Sequence, residues 1–298
     1  MEIVKLKPAV KDYIWGGKRL FSLGKISSSS IIAESWEISF HDDGQSTIDS
    51  GINKGKYLKD IVSKEDLGKK ATNFVFFPIL NKFIDANDNL SLQVHPSDEY
   101  ALKYENSYGK TEMWYVIDTE EDSFLYIGFN KKVSDEEVRE KIASNSLMEI
   151  MNKVPVKKGD CYFIPSGTIH AIGKGCLIYE IQENSNLTYR IYDYGRKDKN
   201  GNTRELHIDK ALKVLNKDKF IPKNIKDSCL AQNKYFTVNK LVNPKYIESP
   251  IDSFMVCTVI DGKGLLDDLI ANKGDTFFIP AGKKITVKNN LTIISTNI

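Results

Sequence analysis

An all-β fold with helical insertions is what this 298-residue sequence predicts. Three observations point there. Short runs rich in aromatic and β-branched residues recur between Gly, Pro, Asn and Asp, as strands prefer. Helical periodicity is confined to two stretches. A nine-residue turn–strand–turn pattern starting at Gly159 returns at Gly274 with six positions identical. Short strands at such close spacing read as a sandwich or barrel.

Taken in order, Ser91–His95 reads as a short strand ended by Pro96. Met113–Ile117 and Phe124–Ile127 are the next two strands. Val133–Met151 is predicted as a helix: Ser134 and Glu137 fit a capping box, and Val138, Ile142, Leu147 and Ile150 make an apolar stripe. Cys161–Ile164, Leu177–Gln182 and Thr188–Asp193 are further strands, and a second helix is expected over Ile208–Leu215. In the repeat, Gly159-Asp160-Cys161-Tyr162-Phe163-Ile164-Pro165-Ser166-Gly167 matches Gly274-Asp275-Thr276-Phe277-Phe278-Ile279-Pro280-Ala281-Gly282. Internal repeats of this kind carry weight in any fold assignment. At roughly 150 residues per domain the length suits two units, and the repeat places them at 1–230 and 231–298.

Composition narrows the function classes. Forty-two basic against 40 acidic residues leave a net charge of +2, too little for strong electrostatic attraction to nucleic acid or an anionic membrane. The longest apolar run, Phe74–Leu80, is interrupted by Pro78 and far shorter than a membrane helix. The N-terminus carries no signal-peptide core, and Cys161, Cys176, Cys229 and Cys257 form no C-x-x-C pair. The expectation is a cytoplasmic chain with reduced thiols. No G-x-G-x-x-G or Walker loop supports a nucleotide site.

Strand alternation gathers a candidate metal site. In Ser91-Leu92-Gln93-Val94-His95-Pro96, Gln93 and His95 share one face and Leu92 and Val94 the other. Around Glu112 the same rule aligns Lys110, Glu112 and Trp114. His170 closes the pattern Gly159-Asp160-x₄-Pro165-x-Gly167-x-x-His170. Two His and one carboxylate from separate strands suit a divalent metal with an open position, and Gln93 can add a neutral oxygen.

The pattern resembles the cupin jelly roll, whose second motif reads G-D-x₄-P-x-G-x-x-H, with Gln93 where the first motif normally has a His. Gln93-Val94-His95-Pro96, Lys110-Thr111-Glu112-Met113-Trp114, the His170 turn and Thr188-Tyr189-Arg190-Ile191-Tyr192-Asp193-Tyr194-Gly195-Arg196 together resemble the type I mannose-6-phosphate isomerase family in its short bacterial form. Lys11–Gly17, Ala33–Ser39 and Leu206–Leu212 match its pattern too, so the likeness runs from about residue 5 to about 290. It implies a metal-bearing jelly roll followed by a smaller, degenerate cupin-like unit. It also implies one Zn²⁺ per chain on Gln93, His95, Glu112 and His170, and a phosphorylated hexose as substrate.

The resemblance places Arg190 at the family's catalytic arginine. Arg is scarce here, five residues against 42 basic in all. Its permanent charge suits an enediolate or a phosphate. Lys110, aimed by alternation at the same pocket, is the candidate acid–base group. Arg190, Arg196 and nearby Lys are open alternatives as the phosphate anchor. His207 reads as a helix-start cap or core residue, Trp36 as core and Trp15 as a pocket wall. The competing classes are a non-catalytic sugar-binding cupin, which retention of Lys110 and Arg190 opposes, and a metal-dependent cupin oxygenase, which Gln93 opposes.

Overall fold

The computed structural model describes residues 1–197 and 201–298. The strands predominate and pair antiparallel, so the all-β class is as the sequence predicts. Contacts divide the chain into two compact units.

One unit comprises residues 13–17 and 84–225. It holds a five-stranded sheet in the order Tyr189–Tyr192, Leu92–Val94, His170–Ile172, Phe124–Phe129, Met151–Pro155. It also holds the adjacent strands Cys161–Ile164, Glu112–Thr119 and Cys176–Glu183. One face of the five-stranded sheet is apolar. Leu92, Val94, Ile169, Ala171, Tyr189 and Ile191 alternate into a buried cluster with Val138, Ile150 and Leu212. Each fully buried aliphatic side chain there is worth about 1.5–3 kcal/mol. Because strand side chains alternate, the residues between them face the other way. Those are Gln93, His170 and Arg190, and they lie in one cross-strand row: Arg190 is opposite Gln93, and Gln93 opposite His170. Apolar alternation on one side thus arrays the polar candidates on the other.

The expected helix over Val133–Met151 is shorter. It spans Asp135–Ala143, with the Ser134 hydroxyl accepting from Glu137 N at 3.2 Å. Asn145 then takes a left-handed φ of 56°, which ends an α-helix. Leu147–Ile150 forms a single 3₁₀ turn, and Met151 opens a strand paired with Phe124–Phe129. The polar Ser144-Asn145-Ser146 segment breaks the stripe that the apolar spacing alone extends. The second helix, Ile208–Val214, lies where the sequence predicts.

The other unit comprises Met1–Asp12, Lys18–Phe83 and Lys226–Ile298. The sequence suggests one boundary near residue 230. Contacts separate Ile225 from Lys226, and they also join the first 83 residues, apart from 13–17, to the C-terminal ones. The reason is strand Val4–Lys7, which pairs with Thr276–Ile279, Val4 opposite Phe278. The sheet continues from Thr276–Ile279 through Met255–Leu266 and Leu291–Asn297 to Thr237–Val242 and Cys229–Gln232. Such long-range pairing leaves no signal in local composition.

The two copies of the repeat are alike down to individual hydrogen bonds. Gly159 N donates to Val116 O and Gly274 N to Val259 O, both at 2.8 Å. The Asp160 carboxylate accepts from Lys157 N, and the Asp275 carboxylate from Asn272 N. Gly159 and Gly274 both have φ near 90°, at 89° and 95°, a region that favours glycine. The outcome downstream differs. The first copy leads to His170, whereas the second leads to Ile285, which is buried in an apolar cluster with Ile247, Leu266 and Ile293. No helix among the described residues is long and apolar enough to cross a membrane.

Candidate metal centre

His95, Glu112 and His170 converge, each with a ligand atom within 4.8 Å of the others, and all three are buried. Each is set by a strand end. His95 follows Leu92–Val94, Glu112 opens Glu112–Thr119, and His170 opens His170–Ile172. The His95 carbonyl accepts from Gly167 N at 2.8 Å, which ties the first ligand segment to the turn that delivers the second. Gln93, opposite His170, brings its Nε2 to 3.4 Å from His170 Nε2. His95, Glu112 and His170 therefore meet as the sequence predicts, and Gln93 lies beside His170, its amide nitrogen rather than its oxygen toward that ring.

Hydrogen bonding fixes what the imidazoles offer. His95 Nδ1 lies 2.9 Å from Leu187 O, and His170 Nδ1 lies 2.8 Å from Thr168 O. A carbonyl only accepts, so both Nδ1 atoms carry a proton, and in the neutral imidazole the lone pair is left on Nε2. Those lone pairs face Glu112, with Nε2 to carboxylate distances of 3.5 Å from His95 and 3.3 Å from His170. Burial, and secondarily the Lys110 charge, lower the His170 pKa to about 4, so it is neutral at physiological pH. Two neutral nitrogen lone pairs turned on a buried carboxylate form a donor set that a cation completes. Backbone carbonyls orienting the non-ligating nitrogens are the usual outer support of a metal-bound His. The residues fit a divalent metal.

Lys110 borders this centre. Its Nζ contacts the Glu112 carboxylate and lies 3.2 Å from His95 Nε2 and 3.3 Å from Glu180 Oε1. Glu180 is a functional candidate that the sequence reading missed. It accepts from Trp114 Nε1 at 2.7 Å, and the Trp114 ring meets His170 edge-on at 5.3 Å. A lone carboxylate inside the apolar run Cys176-Leu-Ile-Tyr-Glu180-Ile was the signal, since a buried charge calls for a partner.

Beneath Thr111, Glu183 accepts from Thr111 N at 2.7 Å. Burial, reinforced by a hydrogen bond to Asp98, pushes its carboxyl from 4.5 up to about 9. Raised above its unfolded value, this group contributes stability that is complete below pH 4.5 and lost as pH rises through about 9. The melting temperature of the protein is therefore expected to fall between pH 6 and 9, and to fall less in Glu183→Gln, which keeps a neutral donor. A difference between the two proteins that stays constant across that range contradicts this assignment.

Arg190 stands beside Gln93 on the same sheet row. Arg190 makes no salt bridge to the nearby Asp193. Asp193 is held by Arg196 and Arg204, each at 2.5 Å. Burial alone raises the pKa of Asp193, but these two partners outweigh it and hold the carboxyl below the usual range. Arg190 Nη1 instead donates to Glu205 O at 2.9 Å, and its Nε is buried with no hydrogen-bond partner among the described residues. Arg196 also donates to Asn89 O, so both its terminal nitrogens are engaged. His207 precedes helix Ile208–Val214, but it fills neither of the expected roles: its side chain makes no capping hydrogen bond and is only partly buried. Trp36 is fully buried, and Trp15 is buried with its carbonyl accepting from Asn87 N.

A family model described as phosphomannose isomerase type I, catalytic domain, matches residues 3–127. The mannose-6-phosphate isomerase of Streptococcus mutans is 38% identical over 293 residues, covering 92% of this chain and 91% of that protein. The mannose-6-phosphate isomerase ManA of Bacillus subtilis is 37% identical over 292 residues, covering 93% and 92%. A crystal structure of the Bacillus subtilis mannose 6-phosphate isomerase superimposes with a TM-score of 0.88 at 35% identity, covering 100% of both chains.

Proposed function

The chain belongs to the type I mannose-6-phosphate isomerases, and on that premise we propose that it interconverts mannose 6-phosphate and fructose 6-phosphate through an enediol, with one Zn²⁺ held by Gln93, His95, Glu112 and His170. The observation that carries the metal reading is the pair of buried imidazole lone pairs turned on the Glu112 carboxylate. When bound, the zinc supplies a Lewis acid for the sugar's carbonyl and hydroxyl oxygens.

The protein's own groups account for the rest. Lys110 Nζ lies among His95, Glu112 and Glu180, at the edge of the ligand set. There, as the free amine, it can take a proton from one substrate carbon or oxygen and, as the ammonium so formed, return it to the neighbouring one. Glu180 accepts from that ammonium and is itself oriented by Trp114. Arg190, on the row with Gln93 and His170, supplies a fixed positive charge to the enediolate oxygen. Without the metal, Glu112, Glu180 and Lys110 sum to one negative charge. The added Zn²⁺ and Arg190 make the region positive, which suits a phosphorylated sugar. A hexose phosphate is a dianion that crosses bilayers poorly, so we place the reaction in the cytoplasm.

A coupled assay on metal-loaded protein tests the reading directly. Formation of fructose 6-phosphate from mannose 6-phosphate is expected, and its absence in a sample of verified metal content overturns the assignment. Lys110→Met is expected to lose about 10²–10⁴-fold in turnover, the usual range for a general acid–base group, while keeping its metal. If the metal is lost instead, Lys110 serves to hold Glu112.

A further inference from the structure

We propose that His207 is a positioning residue that clamps Arg190 in its working orientation, a role that rests on Arg190 being the charge-stabilising group proposed above. Strand Tyr189–Tyr192 is the edge of its sheet, with Leu92–Val94 on one side only. On the open side an edge residue's N–H and C=O need other partners. At Arg190 they are both supplied by His207: Arg190 N donates to His207 Nδ1 at 3.2 Å, and His207 N donates to Arg190 O at 2.7 Å. Two residues earlier, Glu205 O accepts from Arg190 Nη1 at 2.9 Å. The segment 205–207 thus grips the arginine at its amide, its carbonyl and its guanidinium. The strand register shifts between Arg190 and Tyr192, so ordinary ladder pairing does not fix this residue from the inner side alone.

The clamp requires a particular form of the imidazole. Nδ1 accepts from a backbone N–H, so it carries a lone pair and the proton sits on Nε2. An imidazolium at His207 turns that acceptor into a second donor facing the Arg190 N–H, and the bond is lost. The charged and titratable groups around His207 are Glu205, with Oε2 at 3.8 Å from Nε2, Arg190, Lys210, Glu105 and the Tyr189 ring at 6.2 Å. Burial first, and Arg190 and Lys210 after it, lower the His207 pKa below its ordinary 6.5, against the pull of Glu205 and Glu105. The neutral form is therefore the resting one at neutral pH, and the clamp opens in acid.

The test compares wild type, His207→Asn, His207→Ala and Arg190→Ala, all metal-loaded, in kcat and KM from pH 5 to 8 with metal content measured at each pH. Asn sets an amide oxygen where Nδ1 stood and does not titrate. His207→Ala is expected to lower kcat by roughly 3- to 10-fold at neutral pH, the equivalent of one ordinary hydrogen bond, with metal content unchanged. His207→Asn is expected to recover most of that loss and to move the acid limb of kcat to lower pH. Wild-type kcat and an unshifted acid limb in both variants, with Arg190→Ala impaired, overturn the clamp and leave the role of Arg190 standing. Wild-type kinetics in Arg190→Ala overturn that role, and the clamp with it. If His207→Ala does not fold, the acid limb of His207→Asn against wild type decides.

Discussion

Chelation of the metal is expected to abolish turnover, and Zn²⁺ is expected to restore it. The ligands come from separate strands, so the ion is also a cross-link. Removing it leaves the His95 and His170 lone pairs facing Glu112, with Lys110 as the remaining cation in contact with that carboxylate. A ligand present at a hundred times its Kd stabilises the folded state by about 2.7 kcal/mol, so the melting temperature should fall together with activity. Elemental analysis should give one metal per chain, because the second copy of the repeat carries Ile285 where the first carries His170. His95, Glu112 and His170 are the one such cluster among the described residues. Full activity in a verified metal-free sample, or two metals per chain, contradicts the assignment.

Arg190→Ala is the second large effect expected. Removing one preorganised charge stabiliser typically costs about 10²–10³ in rate, and folding should be nearly untouched. The structure explains the separation. Asp193 keeps Arg196 and Arg204, and the backbone bonds of residue 190 to His207 do not involve its side chain. Arg190→Lys should also be slow, since an ammonium cannot reproduce the planar fork. Measuring kcat, metal content and melting temperature on the same preparations checks all three statements, and near-normal kinetics in Arg190→Ala removes the residue from the mechanism.

Much of the site was legible because strand alternation is a strong local rule. Gln93 between Leu92 and Val94 shows the side it faces in the sequence itself, whereas His170 was legible through the Gly159–His170 turn pattern and Arg190 through the family resemblance. Glu180 was harder to see. Its strand is buried throughout, so no polar–apolar alternation marks a face, and its partners Lys110 and Trp114 are distant in the chain. The role of His207 was hidden for a related reason: a helix-start histidine looks the same whether or not an edge strand lies beside it. The early end of the first helix depended on Asn145, one residue whose backbone angle overrides an otherwise continuous apolar stripe. The attachment of Val4–Lys7 to Thr276–Ile279 left no local trace, because pairing partners so far apart share no pattern that a window can detect.

That pairing has a consequence for how the protein is made. A chain leaves the ribosome from its N-terminus, and units fold as their residues become available. The metal-bearing unit ends at Ile225, so its last strand and helix emerge before the second copy of the repeat. The other unit draws on residues made before that one and on residues made after it, since the sheet partner of Val4 is Phe278. Strand Val4–Lys7 can pair early on one edge, where Leu6 lies opposite Ile48, but its other edge stays open until Thr276–Ile279 has been made. Truncation near the C-terminus should accordingly strand both ends at once, leaving the ligand-bearing half complete and an unfinished edge open to aggregation.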